Sequence, residues 1–283
     1  MKLKDYLKKA QKEKWAIGQF NFSTLEQLRG ILEAARQMKS PVILGTSESE
    51  SKYFGFEEIL ALAEISKLKY HLFAFLNLDH GKDLNWLKKA IDFGYSAVHF
   101  DGSDLSLDEN IKNTKKVAEY AHKKGVLVEG ELGYIKGGSR FKKGGIEIKK
   151  EELTLPDEVK KFVKETRIDS LAISIGNVHG IYEMMPKLDF ERLEKIKKIT
   201  SVFLVLHGGS GIPNTEIKSA IDFGISKINF NTELRIIWKE SLFNFFKKYP
   251  EEIKPYKILP EIQMAIQKKV EEKITLLNSK NKL

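Results

Sequence analysis

The feature that most constrains the fold of this 283-residue chain is a regular alternation of short apolar runs with longer amphipathic segments. The apolar runs are rich in β-branched residues and predict strands over 16–22, 41–46, 72–78, 96–101, 126–132, 170–176, 202–207 and 226–230. The segments between them place apolar residues three and four apart, which predicts helices such as those over 25–37, 83–94, 107–125 and 189–199. Eight alternations without a break in composition predict an α/β fold, a (β/α)8 TIM barrel. An open doubly wound sheet is the alternative, because strand count alone does not show closure.

The length fits one barrel, since such barrels use about 250 residues. We therefore expect a single domain over 1–283, with a C-terminal helical extension over about 258–277. The longest irregular stretch is 133–145, which is rich in glycine and lysine. A loop of that length in a compact domain is usually functional or mobile.

Composition and net charge limit the kinds of binding partner that we expect. The chain has 48 Lys and Arg residues and 39 Asp and Glu residues, a net charge of +9. The lysines stand beside glutamates on predicted helix faces, as in 147-IEIKKEE-153, and form no patch with aromatic residues. Nucleic acid is therefore not an expected partner, whereas a diffuse positive field attracts phosphorylated metabolites. No apolar run reaches the roughly 20 residues that span a bilayer, so we expect no membrane partner and a cytoplasmic protein. The absence of cysteine excludes disulfides, thiolate zinc sites and cysteine nucleophiles.

Three of the six histidines fall at the carboxyl ends of predicted strands. His80, His179 and His207 each end or follow one of these strands, and in a barrel those ends share the rim on which active sites form. Three imidazoles with an open coordination position are the usual protein arrangement for a catalytic Zn²⁺, with other divalent metals also suited. The other three histidines fall at the start of a strand, inside a strand and within a helix: His71, His99 and His122.

Asp79 immediately precedes His80, although adjacent residues of a regular strand point to opposite faces. Both side chains can face the mouth of the barrel only if the pleat ends there, and Gly81 is where we expect it to end. Asp79 would then lie beside the metal, placed for proton transfer rather than ligation. The alternative is a polar turn in which Asp79 is a cap and His80 a structural residue; the two further histidines on the same rim favour the metal site.

The loop 207-HGGSG-211 exposes backbone N–H groups and one hydroxyl, and 229-NFNTE-233 ends the next strand. Loops after the last two strands of a barrel are its recurrent phosphate site, and successive amides bind anions. Because the first residue of the glycine-rich loop is His207, a phosphate cradle is predicted next to the metal.

A metal, an anion site and a lone carboxylate together suit aldol cleavage. A metal can polarise a ketone and stabilise the enediolate left when a C–C bond breaks, while the carboxylate moves the proton on the other fragment's oxygen. A Schiff-base mechanism needs an inward-facing lysine, and the strand over 170–176 has none. Lys227 lies at the start of its strand, the wrong end of the barrel. An HxH pair, expected on the first strand of many metal-dependent barrel hydrolases, is absent from 16–22.

The chain resembles the class II, metal-dependent ketose-bisphosphate aldolases, which act on fructose 1,6-bisphosphate or tagatose 1,6-bisphosphate. The similarity covers nearly the whole chain, in the segments 20-FNFSTLEQL-28, 41-PVILGTSES-49, 78-LDHG-81, 100-FDGS-103, 129-EGELG-133, 176-GNVHGIY-182, 206-LHGGSGIP-213 and 227-KINFNTELR-235. The ordered combination of these motifs is highly specific.

The resemblance implies roles for particular residues. His80, His179 and His207 correspond to the zinc ligands, and Asp79 corresponds to the catalytic acid/base. The dihydroxyacetone-phosphate end corresponds to Gly180, Gly208, Ser210, Asn229 and Thr232, and positions near the substrate to Asn21 and Ser47. Asp101 and Glu131 correspond to carboxylates that hold a second metal in some members, or else satisfy loop amides. The resemblance also implies a homodimer or homotetramer, and triose phosphates as products.

Some positions depart from the family pattern. The loop over 136–145 is basic and lacks the family's carboxylates, Glu183 stands where a lysine is common, and Ser49 and Glu50 replace small residues. We therefore expect an active aldolase whose specificity or loop mechanics have drifted. A metal-dependent hydrolase or epimerase acting on a phosphosugar, and a sugar-phosphate-binding or scaffold protein without lyase activity, are the alternatives. The sequence does not choose between fructose and tagatose bisphosphate.

Overall fold

The computed structural model describes residues 1–70 and 74–283, and within them eight parallel strands close into a barrel. The strands are β1 Ile17–Asn21, β2 Val42–Ser47, β3 Ala74–Gly81, β4 Ala97–Phe100, β5 Leu127–Leu132, β6 Gly137–Gly145, β7 Ser170–Ile173, β8 His179–Met184, β9 Phe203–Leu206 and β10 Ile225–Phe230. All but β6 and β8 belong to the barrel, in the order β1-β10-β9-β7-β5-β4-β3-β2. Gly18 of β1 pairs with Val42 on one side and Ile228 on the other, which excludes the open sheet and confirms the predicted barrel.

Helices follow the barrel strands and cover the outside of the sheet. They are α1 Leu3–Glu13, α2 Leu25–Met38, α3 Glu48–Phe54, α4 Phe56–Tyr70, α5 Leu84–Asp92, α6 Leu107–His122, α7 Pro156–Thr166, α8 Phe190–Ile199, α9 Asn214–Asp222, α10 Thr232–Lys248 and α11 Pro255–Leu276, with a 3₁₀ turn at Lys150–Glu152. Their apolar residues pack against the sheet or, as between α10 and α11, against a neighbouring helix. The predicted C-terminal helix is α11. It lies against α2 at Gly30, where a Cβ would come within 2.8 Å of the Gln263 carbonyl oxygen.

The amino-terminal end of the barrel is closed by α1. Leu3, Tyr6, Leu7 and Ala10 lie on one face of this helix and pack with Trp15 and with residues from the starts of the strands. Their spacing of three and four residues is what makes this face continuous. Because this end is plugged by apolar side chains, the opposite, carboxyl-terminal end is the one left open to solvent.

The irregular stretch predicted over 133–145 is largely a strand. β6 pairs in parallel with β8 outside the barrel, with Gly137 opposite His179 and Lys142 opposite Tyr182. Most of β6 is exposed on both faces, so its sequence has none of the apolar alternation by which a half-buried strand is recognised. Glu183 contributes to this small sheet, since its carboxylate accepts a hydrogen bond from the Gly144 amide at 3.1 Å.

Two sequence expectations fall partly or wholly outside the described residues. The strand predicted over 72–78 is described only from Ala74, where β3 begins, and His71 lies outside the described part of the chain. Within residues 1–70 and 74–283, no helix is long and apolar enough to cross a membrane.

Candidate active site

A cavity of about 460 Å³ opens at the carboxyl ends of the barrel strands. All of the predicted site residues except Gly180 line it: Asn21, Ser47, Asp79, His80, Asp101, Glu131, His179, His207, Gly208, Ser210, Asn229 and Thr232. Gly180 packs instead against β6, where a Cβ would lie 2.6 Å from the Gly138 carbonyl oxygen. Residues far apart in the chain, such as Asp79 and Asn229, which are 150 positions apart, thus meet on one rim because every strand of the barrel ends there.

Asp79 and His80 both line the cavity because the backbone changes direction at His80. Its φ is 50°, in the left-handed region that non-glycine residues rarely adopt, and the register of β3 against β4 shifts between Leu78 and Gly81. The break in the pleat therefore falls at His80, one residue before the predicted position. Gly81 is needed for close packing, since a Cβ there would lie 2.7 Å from Leu87 and 3.0 Å from the His99 carbonyl oxygen.

In two of the histidines, a carboxylate holds the outer ring nitrogen, which is the one that points away from the other histidine. His80 Nδ1 lies 2.9 Å from Asp101 Oδ2, and His207 Nε2 lies 2.7 Å from Glu129 Oε1. Since a carboxylate only accepts, each of these nitrogens carries a hydrogen. The inner nitrogens, His80 Nε2 and His207 Nδ1, face each other at 3.0 Å.

One proton at most can lie between these two nitrogens. Burial lowers the pKa of His80, but the charge of Asp79 and the hydrogen bond to Asp101 outweigh it and raise that pKa above its usual value. Burial lowers the pKa of His207, so this ring is the acceptor of the pair. A metal ion that displaced this proton would meet one lone pair on each of the two nitrogens.

His80 and His207, together with Asp79 and His99, offer ligand atoms that all lie within 4.8 Å of one another and can hold a divalent metal, whereas His179 is not part of that group. An N–N separation of 3.0 Å is close to the edge, about 3.3 Å, of a tetrahedron with metal–nitrogen bonds of about 2.05 Å. The ring of His179 lies 4.8 Å from that of His80 and 6.0 Å from that of His207. Burial and the charges of the other two histidines hold its pKa well below the usual range, so it is neutral, as a ligand must be.

Asp101 and Glu131 differ in how their oxygens are used. Both Asp101 oxygens have partners, because Oδ2 takes the His80 bond and Oδ1 accepts the Ser103 hydroxyl at 2.6 Å. Oε2 of Glu131 is buried and has no hydrogen-bond partner among the described residues. His80, Asp101 and Glu131 still offer ligand atoms within 4.8 Å of one another.

Two side-chain amides hold Asp79. Asn21 Nδ2 donates to Asp79 Oδ2 at 3.0 Å, and Asn229 Nδ2 donates to Oδ1 at 3.2 Å. Burial raises the pKa of Asp79, but the charges of His80, His207 and Lys227 outweigh it and hold that pKa well below its usual range. The carboxylate is therefore ionised, and it lines the cavity.

The glycine-rich loop after β9 forms a concave turn. Gly208 has a φ of 67°, and a Cβ there would lie 2.0 Å from the Val178 carbonyl oxygen, so only glycine fits. Ser210 Oγ accepts the Glu233 amide at 3.2 Å, and Glu233 Oε1 accepts the Gly211 amide at 3.0 Å. These bonds join the loop to the amino terminus of α10, and a helix amino terminus favours an anion.

Besides Glu129, which holds His207, three buried residues of the site were not predicted. His99 was set aside because it lies inside a strand, yet its Nδ1 accepts the His80 backbone amide at 3.1 Å and its Nε2 lies 3.3 Å from Glu131. Lys227 was assigned to the wrong end of the barrel, but its ammonium group lies in the interior, 2.8 Å from Glu129. A polar residue within an otherwise apolar barrel strand was the available signal for both.

The third unpredicted residue is Glu50. Its side chain is 6% exposed, accepts the Asn21 amide at 3.1 Å and pairs with Arg235 Nη2 at 2.6 Å. Asn21 thus bridges Glu50 and Asp79. The sequence showed Glu50 only as a departure from the family pattern, since no spacing rule joins α3 to a residue 185 positions away.

These features define a class of protein. The parallel barrel is closed, and imidazoles, carboxylates and an anion-binding loop surround one cavity at its open rim. Such an arrangement is that of a barrel enzyme for an anionic substrate, with donors that fit a divalent metal. The chain matches the family described as fructose-bisphosphate aldolase class-II over residues 1–282. It belongs to that family, whose members are lyases and generally depend on a metal.

Individual relatives agree with this assignment. The chain is 39% identical over 283 residues to a fructose-bisphosphate aldolase of Geobacillus stearothermophilus, covering 99% of this chain and 97% of the relative. It is 39% identical over 279 residues to a sulfofructosephosphate aldolase of Alkalicoccus urumqiensis, covering 99% and 96%. The crystal structure of the YdjI aldolase from Escherichia coli K12 superposes with a TM-score of 0.86 at 30% identity, covering 99% and 98%. These matches establish the family. Relatives that are equally similar to the chain are named for different substrates.

Proposed function

We propose that the protein cleaves a ketohexose 1,6-bisphosphate reversibly into dihydroxyacetone phosphate and glyceraldehyde 3-phosphate, with fructose 1,6-bisphosphate as the first substrate and tagatose 1,6-bisphosphate as the alternative. The observation that carries the proposal is the position of Asp79. This carboxylate is held by Asn21 and Asn229 beside two imidazole nitrogens that face each other at 3.0 Å. Such a group can move a proton at an oxygen next to a Lewis acid.

His80, His179 and His207 would hold one Zn²⁺, which when bound acts as a Lewis acid toward the ketone oxygen. The protein's own contribution is orientation: Asp101 and Glu129 direct the ring nitrogens of His80 and His207 toward the cavity. Because Asp101 already uses both oxygens in the protein, we assign it to positioning His80. A second ion at Asp101 and Glu131 is not required by the proposal.

During cleavage the C3–C4 bond breaks and the C4 hydroxyl becomes the aldehyde of the departing triose. The electron pair of that bond stays on the other fragment as an enediolate, which takes up a proton at C3 to become dihydroxyacetone phosphate. Asp79 takes the hydroxyl proton, and in condensation it returns that proton to the aldehyde oxygen. Asn21 and Asn229 keep the carboxylate fixed while it does so. A positioned base of this kind typically contributes about 10² to 10⁴ in rate.

The phosphate of the dihydroxyacetone-phosphate end would lie in the loop of Gly208 and Ser210 next to Asn229 and Thr232. These residues line the same cavity as the histidines. Their backbone amides and the α10 amino terminus supply donors without a side-chain cation. Asn21 and Ser47 line the same cavity at the ends of β1 and β2, the two strands that follow β10 around the barrel.

We infer that the second acidic group of the substrate is met by cations of this chain. Lys82 and Arg235 line the cavity, paired with Asp104 and Glu50 at 2.6 Å each. A guanidinium has five N–H donors, and Nη2 alone makes the bond to Glu50, so other donors remain for an anion. The two relatives' names, a bisphosphate and a sulfo-phosphate, both denote sugars with two acidic groups.

The direct test is cleavage of both bisphosphates, with triose phosphate release measured with and without a chelator. We expect release from at least one, abolished by thorough metal removal and restored by Zn²⁺. Activity that survives metal removal would overturn the mechanism. Turnover without triose phosphate would indicate a phosphosugar hydrolase or epimerase, and binding without C–C cleavage would indicate a binding or scaffold protein.

We also propose a homodimer or homotetramer. Large apolar side chains are exposed close together in sequence on α10, α11 and the segment joining them: Phe243, Phe246, Ile253, Tyr256 and Met264. A second copy of the chain would cover such residues. Light scattering after size exclusion measures the mass, and a monomer at micromolar concentration would contradict the proposal.

A further inference from the structure

A line of three buried side chains runs beneath the candidate metal site. Lys227 on β10 donates to Glu129 Oε2 at 2.8 Å, and Glu129 Oε1 accepts from His207 Nε2 at 2.7 Å. The side chains of all three are at most 4% exposed. An ammonium group this deeply buried has a high desolvation cost, so its location calls for a specific partner.

We propose that Glu129, held in place by Lys227, selects the tautomer of His207 and so makes His207 Nδ1 available as a metal ligand. The inference rests on the proposed role of His207 as a ligand. Lys227 and Glu129 are positioning residues, since neither faces the cavity. Nothing in the family match assigns them this role.

The selection follows from donor and acceptor chemistry. An ammonium group only donates and a carboxylate only accepts, so Lys227 takes one Glu129 oxygen and leaves the other to accept from the imidazole. His207 must then carry its hydrogen on Nε2. Its Nδ1 keeps a lone pair, and this is the atom that lies 3.0 Å from His80 Nε2. The lysine also fixes the carboxylate against rotation, because both oxygens are in use.

Replacing the acid by its amide tests the selection. In Glu129→Gln, the ammonium group of Lys227 must take the amide oxygen, because the amide NH₂ cannot accept. The NH₂ group then points at His207 Nε2 and donates to it, which moves the imidazole hydrogen to Nδ1. We expect this nearly isosteric variant to bind Zn²⁺ about 10- to 100-fold more weakly, the range typical of lost support around a ligand.

The double variant Glu129→Gln/Lys227→Met distinguishes selection from general structural support. Without the ammonium group, the amide is free to turn its oxygen toward His207, and the original tautomer returns. We expect the second substitution to restore Zn²⁺ affinity by about tenfold or more. If Lys227 and Glu129 were only a structural ion pair, the double variant would bind Zn²⁺ no more tightly than the single variant. A double variant with the same Zn²⁺ affinity as Glu129→Gln would therefore overturn the proposal.

The measurements do not depend on catalysis. Zn²⁺ affinity is obtained by chelator competition, and ¹⁵N resonances of the His207 ring in the metal-free protein report which nitrogen carries the hydrogen. The hydrogen should be on Nε2 in the wild type and the double variant and on Nδ1 in Glu129→Gln. A wild-type hydrogen on Nδ1 would overturn the proposal whether or not metal binds. Circular dichroism and thermal unfolding establish that each variant is folded.

A matched control is Lys273→Met, which removes another buried lysine that pairs with a glutamate, Glu233, at 2.8 Å. It should leave the His207 tautomer and Zn²⁺ affinity unchanged. A wild-type protein that shows the expected tautomer but binds Zn²⁺ no more tightly than His207→Ala would contradict the proposed function while leaving the tautomer selection intact. The two failures are therefore distinguishable.

Discussion

Asp79 and His80 are consecutive residues of β3, and their side chains enter the same cavity because His80 has a φ of 50°. In a regular strand one of them would point outward. The backbone change fixes the separation between the proton-transfer group and a candidate ligand by covalent geometry alone. His80 remains in this conformation because its ring is held by Asp101 and its amide by His99.

The first prediction concerns Asp79→Asn. The amide keeps the size of the side chain but cannot accept a proton as a carboxylate does, so we expect kcat for bisphosphate cleavage to fall by about 10² to 10⁴. Bound metal should stay near one ion per chain, because Asp79 is not a proposed ligand. Coupled detection of triose phosphate and elemental analysis measure the two quantities. A variant within threefold of wild-type kcat would remove Asp79 from the mechanism.

The second prediction concerns metal removal. The buried acids Asp79, Asp101 and Glu131 surround the candidate site, so a divalent cation there binds the folded state far better than the unfolded one. At 100 times its Kd such a ligand stabilises by about 2.7 kcal/mol, which at this chain length is a Tm change of roughly 4–5 °C. Thermal unfolding before and after chelation measures the change. Zn²⁺ should restore the original Tm, and an unchanged Tm would argue against a metal at these residues.

The third prediction concerns the second acidic group of the substrate. Arg235→Ala should lower kcat/KM for fructose 1,6-bisphosphate by about 30-fold or more, a range typical of losing a hydrogen-bonded charge pair, while changing that for fructose 1-phosphate by less than threefold. The comparison isolates the distal group, since the two substrates differ only there. Lys195→Ala, an exposed lysine outside the cavity, serves as the control. Equal losses with both substrates would show that Arg235 supports the site in general.

The fourth prediction is acid sensitivity at the plugged end of the barrel. Asp169 accepts from Lys4 at 2.9 Å, from His122 at 2.8 Å and from the Val128 amide at 3.0 Å. Burial raises the pKa of Asp169, but the bonds from Lys4, Val128 and His122 outweigh it and lower that pKa below its usual value.

The sign follows from linkage. A carboxylate whose pKa is lower in the folded state than in the unfolded state stabilises the fold at pH values above its unfolded pKa of about 4. This stabilisation is lost as the pH falls from the unfolded pKa through the folded pKa. Asp169→Asn should therefore be destabilised at pH 7, and its urea midpoint should fall less between pH 7 and pH 3.5 than that of the wild type. Asp157→Asn, at an exposed position, should track the wild type, and parallel pH profiles for all three proteins would contradict the assignment.

The fifth prediction concerns the basic strand β6. Glu183→Ala removes the acceptor for the Gly144 amide, so tryptic cleavage after Arg140, Lys142 or Lys143 should become severalfold faster because local opening is favoured. Mass spectrometry of timed digests locates and quantifies the cuts. Glu151→Ala, an exposed acid nearby on the chain, should cleave at the wild-type rate. Unchanged cleavage would show that β6 is held without Glu183.

The barrel could be predicted because its signal is local and repeated. Each strand and helix carries its own apolar period, and eight copies of one pattern leave few folds open. The rim residues followed from the same logic, since the end of a strand can be located without knowing its neighbours. β6 could not be predicted, because an exposed strand is held by backbone hydrogen bonds that leave no period in the sequence.

Contacts between side chains that are distant in the chain also could not be predicted, and this is why His99, Lys227 and Glu50 were missed. Their importance depends on side chains that meet across the barrel, such as Glu50 with Arg235 and Lys227 with Glu129. The register that brings such pairs together is fixed by closure of the sheet, and no single segment encodes it. The position of the pleat break depends likewise on packing between β3, β4 and α5, which placed it at His80.

The contacts beneath the candidate metal site set the order in which the site can form during synthesis. His80 and His207 are 127 residues apart, Glu129 and Lys227 are 98 apart, and Asp79 and Asn229 are 150 apart. β10, which supplies Lys227 and Asn229, is the last strand made. A growing chain that ends between His207 and β10 holds its candidate ligands but lacks the lysine that pairs with Glu129 and an amide that holds Asp79. The complete set of contacts around the candidate site is therefore a property of the finished barrel.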